Sequence, residues 1–131
     1  MRIYGSIGIA ALCAAIIAGA ARAEVTQDNF LLRQTGDLVD MCSAGQSDPL
    51  YTAATNFCHG FAVGVFRVLQ EEDAARRSGH LFCVPTPPPT RNEAIASFVQ
   101  WARANTSRMS LSAADGVGAF LSEQYKCPRG R

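Results

Sequence analysis

Five cysteines and two histidines are the residues whose types could carry chemistry. Cys13 falls in an apolar N-terminal stretch, which leaves Cys42, Cys58, Cys83 and Cys127 beside His59 and His80. Thiolates and imidazoles ligate zinc or form nucleophile–base pairs, and their spacing here serves neither purpose. There is no C-x-x-C pair, and the two histidines lie outside the usual ligand spacing. Cys58-His59 lacks the upstream cysteine of a C-x-x-C-H haem attachment. Neighbouring helix residues do not face each other, so Cys58 and His59 form no hydrogen-bonded catalytic pair. No carboxylate pair, Ser-His-Asp set or phosphate loop is visible. The expectation is a protein that is not an enzyme, with no catalytic residue, no metal and no cofactor. His59 and His80 read as structural or solvated. Four cysteines in a short exported chain read as two disulfides.

Export is itself read from the start of the chain. Arg2 is followed by the uncharged run Ile3 to Ala21, and Ala21-Arg22-Ala23 places small residues where a signal peptidase reads. An uncleaved anchor is the rival, since the run is nearly long enough to span a bilayer. Its many small residues and the adjoining A-x-A site favour cleavage. Residues 1–23 are therefore expected to be a signal peptide cut after Ala23, giving a periplasmic protein whose only membrane contact is through that segment. The chain has 131 residues, so residues 24–131 make one small domain. Hydrophobic residues at 48% and charged residues at 18% suffice for a core. The formal net charge is +1 and becomes about −1 once Arg2 and Arg22 leave, which argues against nucleic-acid binding.

The elements that must position the cysteines are helical. A short helix is expected from Asp37 to Cys42, with Thr35 as its cap. Asp48-Pro49 is a strong start signal for a second. Leu50, Ala54, Phe57, Cys58, Phe61, Val65, Val68 and Leu69 recur at steps of three and four, marking this as the main core helix, running to about Arg77 before Gly79. Gly60 and Gly64 lie one turn apart on it and predict close packing, either within the domain or across a homodimer seam. Val84 to Thr90, V-P-T-P-P-P-T, cannot be helical and must be an extended connector. Thr90-Arg91-Asn92-Glu93 is a capping box leading into the stripe Ile95, Phe98, Val99 and Ala102, with Trp101 at its edge. Ser112 to Asp115 repeats the capping logic before Val117, Phe120 and Leu121. The expected fold is all-α: a small four-helix bundle-like domain stapled by two disulfides, its core over residues 35–128.

If successive helices are antiparallel neighbours, Cys42 and Cys58 share one pole, and Cys83 and Cys127 share the other. That favours Cys42–Cys58 and Cys83–Cys127. A Cys58–Cys83 bridge is harder, because a helix reaching Arg77 carries the chain about 28 Å away at about 1.5 Å per residue. The short loop beyond recovers at most about 20 Å.

The runs Asp37-Leu38-Val39-Asp40-Met41-Cys42, Phe57-Cys58-His59-Gly60-Phe61-Ala62-Val63-Gly64, Cys83-Val84-Pro85 and Tyr125-Lys126-Cys127-Pro128 together resemble the Rap/Tai immunity proteins. The resemblance covers most of the mature chain, about Asp37 to Pro128. It implies a small exported helical protein that binds and sterically blocks a type VI secretion amidase, a peptidoglycan-cutting effector. It also implies a disulfide-bonded dimer without catalytic residues. The connector of this chain is more proline-rich than the family pattern, and Lys126 intervenes between Tyr125 and Cys127.

An inhibitor needs a rigid projection, and the Arg76–Thr90 connector and the Ala104–Leu111 turn are the candidates. Arg76, Arg77, His80 and Arg108 are the expected partner contacts; ordinary solvated loop charges are the alternative. The competing function is a periplasmic acid-stress chaperone resembling HdeA, which is also small, helical and disulfide-bonded. Protonation of the chain's eleven acidic side chains would permit that role without specifying it.

Overall fold

The computed structural model describes residues 23–128. The expected leader lies outside them except for Ala23. A 3₁₀ turn at Gln27–Leu31 precedes five helices: α1 Thr35–Cys42, α2 Tyr51–Ala75, α3 Arg91–Arg103, α4 Thr106–Met109 and α5 Ala113–Gln124. There is no strand among the described residues, and none of their helices is long and apolar enough to cross a membrane. The four expected helices are all present. The single-turn α4 and the 3₁₀ turn are additional; each is too short for a periodic signal.

Local chemistry explains most of the boundaries. The Glu93 carboxylate accepts from Thr90 N–H at 2.7 Å, while Thr90 Oγ1 accepts from Glu93 N–H at 3.3 Å. These bonds hold the Glu93 pKa below its ordinary value, with the side-chain bond to Thr90 the largest cause. Ser112 Oγ accepts from Asp115 N–H at 3.2 Å at the start of α5. Helix α1 begins two residues earlier than its spacing predicts. Asp37 accepts from Gln34 N–H at 3.1 Å, so Gln34 is the cap and Thr35 lies inside the helix. Helix α2 begins at Tyr51 rather than Pro49. Asp48 still organises the entry, accepting from Leu50 N–H and from Val25 N–H, both at 2.8 Å.

The core is built chiefly by α1, α3 and α5. Leu38, Val39 and Met41 are wholly buried. Ile95, Phe98, Val99, Trp101 and Ala102 join them from α3, and Val117, Phe120 and Leu121 from α5. Phe120 takes the edge-on rings of Phe98 at 5.6 Å and Trp101 at 5.8 Å. Helix α5 comes close to α1 at Gly116, where a Cβ would run into the Thr35 side chain. Thr35 is fully buried and satisfies its hydroxyl on the carbonyls of Leu111 and Ser112, at 3.2 and 3.1 Å.

Two expectations about α2 are corrected here. It is not the main core helix, since only Ala54 and Cys58 of its 25 residues are buried. Gly60 and Gly64 are not close-packing sites within the domain, because both are exposed and a Cβ on either would meet nothing within 4 Å. The periodicity is present, but the chain supplies too few facing elements to cover it.

Candidate partner-binding surface

The four cysteines form two bridges, Cys42–Cys58 with sulfurs 2.07 Å apart and Cys83–Cys127 at 2.03 Å. These are the two pairs that the pole argument favours. They fix different things. Cys42–Cys58 locks α1 to α2 beside fully buried side chains. Cys83–Cys127 ties the connector to the chain leaving α5, where Cys83 N–H also donates to the Tyr125 carbonyl at 2.7 Å.

Between the end of α2 and Cys83 the chain turns through Arg76 to Phe82. Gly79 takes φ +60°, which favours glycine. Asp73, in the last turn of α2, reaches across this turn. Its carboxylate accepts from Leu81 N–H and lies 2.9 Å from His80 Nδ1. The Leu81 backbone bond, then the His80 contact, holds the Asp73 pKa below its ordinary value. Arg76 Nε donates to the Gly79 carbonyl at 3.3 Å. Phe82 is buried, with its ring 5.7 Å from that of Phe66. A glycine turn, a carboxylate clasp, an aromatic anchor and a disulfide therefore hold an exposed loop in one shape. Arg76, Arg77 and His80 all lie exposed on it.

Arg108 is elsewhere and is differently employed. Its Nη1 donates to the Trp101 carbonyl at 2.7 Å, and its Nη2 lies 2.9 Å from Glu123 Oε2. Its guanidinium sits 4.4 Å from the centre of the Trp101 ring. Glu123 also accepts from Trp101 Nε1 at 2.8 Å. Arg108 therefore braces α4 against α3 and α5. The structure does not join it to the Arg76–His80 loop, the other place where partner contacts are expected. Sequence reasoning missed Glu123, the residue that recruits Arg108, because no local spacing links positions so far apart.

A further surface feature is apolar. Phe61, Val65, Val68 and Leu69 on α2, with Ala114 and Gly118 on α5, line a shallow groove. Val68 is 57% exposed, and Gly64 lies along the same groove. Charged side chains are sparse there, Asp115 being the one in the lining. On α1, burial raises the Asp40 pKa, with the Arg103 charge opposing it. Among the described residues no group of three metal-ligating side chains converges. The surface therefore offers two features, a polar loop and an uncovered helix face.

A family model described as Rap1a immunity proteins matches residues 34–127. No curated protein and no solved structure matches the chain.

Proposed function

We propose, from the premise that this chain belongs to the Rap1a immunity protein family, that it is exported to the periplasm and sterically blocks a type VI secretion peptidoglycan amidase. The family is one of immunity proteins, which implies an inhibitor that binds a partner effector rather than an enzyme. The observation that carries the finer reading is the extent of the match, which takes in the whole framework from Cys42 to Cys127. The geometry supports it. Occlusion requires a projection that keeps its shape on binding, so that little ordering free energy is lost. The Arg76–Phe82 loop has that property, and Arg76, Arg77 and His80 are its outward polar groups.

The uncovered face of α2 suits a second copy of the chain. Gly60 and Gly64 let another backbone come close, and a two-fold axis would bring Val68 and Val65 against the same groove on the partner. Dimerisation would bury the face and leave both loops free to engage effectors.

The direct test is inhibition. Oxidised chain from Glu24 to Arg131 is titrated into a type VI amidase digesting purified peptidoglycan. Stoichiometric inhibition is expected, with R76A/R77A/H80A binding at least about tenfold more weakly, or about 1.4 kcal/mol. Full inhibition by the triple variant would remove the loop from the interface. Failure to inhibit any such amidase at micromolar protein would remove the amidase.

A further inference from the structure

We propose that a second cleft, between α2, α3, α5 and the proline connector, binds a linear acyl chain ending in an anionic group. The cavity is about 340 Å³, within the range of small-ligand sites and on the other side of α2 from the apolar groove described above. Its inner wall is core: Phe98, Val117, Phe120 and Leu121 line it and are each no more than 5% exposed. Phe66 and Pro88 help to form its outer wall. Such a wall rewards apolar length and gives few hydrogen bonds.

The charged groups in the lining are Arg67, on α2, and Arg91, at the start of α3; no carboxylate lines the cleft. Both arginines are exposed, and neither forms an ion pair among the described residues. Arg67 donates to Gln70 Oε1 at 2.9 Å and lies 5.8 Å from the centre of the Phe66 ring, which keeps it beside the apolar wall. Two guanidiniums at the edge of an apolar cleft complement an anion and disfavour a cation.

A peptide suits the cleft less well. Its buried amides would need partners, yet Pro88 and Pro89 offer no N–H, and the polar side chains available are Arg67, Arg91 and Tyr125. An acyl chain has no such groups to satisfy. The carboxylate or phosphate at its end would take the arginines.

Trp101 provides the readout. It is the chain's single tryptophan; it stacks on Phe98 at 6.2 Å and meets Phe120 edge-on at 5.8 Å, two residues of the cleft wall. The probes are dodecanoate and its brominated analogue, below micelle formation, added to the oxidised mature chain. Saturable quenching by the brominated acid is expected, with dodecanol at least about tenfold weaker for want of a charge-assisted bond. R67E/R91E should lose about tenfold for dodecanoate. A94F and A62F each fill the cleft from a different helix, and either one that keeps the wild-type melting temperature should abolish quenching. Absence of saturable binding overturns the proposal, as does wild-type binding by a folded cleft-filling variant. Equal affinity for dodecanol overturns the anionic assignment. None of these variants alters the Arg76–His80 loop, so the outcome is separate from that of the amidase assay.

Discussion

Helix α1 has 8 residues and buries five of them; α2 has 25 and buries two. Both carry apolar residues at helical spacing. The difference lies in what surrounds them. Helix α1 is threaded between α2, α3 and α5, so each of its faces meets a neighbour. Helix α2 meets neighbours along part of its surface and runs on with Val68 exposed to solvent. Hydrophobic periodicity records a face that wants cover, and the cover can come from another molecule. In a binding protein the shorter helix can hold the fold while the longer one presents it.

The largest expected loss sits where α2's exit is tied back to the core. Removing Cys83–Cys127 as C83A/C127A frees a closed loop with a sequence separation of 44. The expected cost is about 4 kcal/mol by the chain-entropy model, read by urea unfolding. L38A in the middle of α1 should cost about 3 kcal/mol through lost burial and the cavity left behind. R108A should cost about 1 kcal/mol, because it strips the brace shared with Trp101 and Glu123 and lengthens no loop. D73N weakens the clasp after α2 and gives a pH signature. The folded Asp73 pKa lies below the ordinary value of 3.8, so the clasp's contribution is present above that value and fades as pH falls through the folded one. Wild type should therefore melt higher than D73N at neutral pH, with the gap closing in acid. The smallest effect is expected for V68A on the open face of α2, within about 0.5 kcal/mol. A V68A cost matching that of L38A would break the contrast between the two helices. Self-association by the wild-type chain that V68E abolishes at unchanged melting temperature would sharpen it.

Much of this architecture is legible in the chain. Thr90–Glu93 and Ser112–Asp115 announce α3 and α5 because their capping partners are three residues apart. The prolines from Pro85 to Pro89 exclude helix by covalent geometry. The disulfide pairs follow from which helix ends can share a pole. What the sequence conceals depends on contacts between distant positions. Arg108 looks like a loop charge until Glu123 and the Trp101 ring are placed beside it. Gly60 and Gly64 look like packing sites, but the close approach occurs at Gly116, where Thr35 arrives from far along the chain. The bareness of α2 is likewise invisible locally, since apolar spacing is the same whether the neighbour is internal or external. The Arg76–His80 loop falls between these cases: its residues are legible as candidates, whereas its rigidity needs Asp73, Phe82 and Cys127 in three dimensions.

The most direct test of an immunity role is protection in the cell. Type VI peptidoglycan amidases are produced one at a time in the periplasm of a susceptible bacterium, with the full chain or with R76A/R77A/H80A, and lysis is followed. A type VI lipase effector serves as the unrelated control. Protection against one amidase by the wild-type chain, lost in the triple variant and absent for the lipase, is the expected result. Protection against none of the amidases, or equal protection against the lipase, would contradict it.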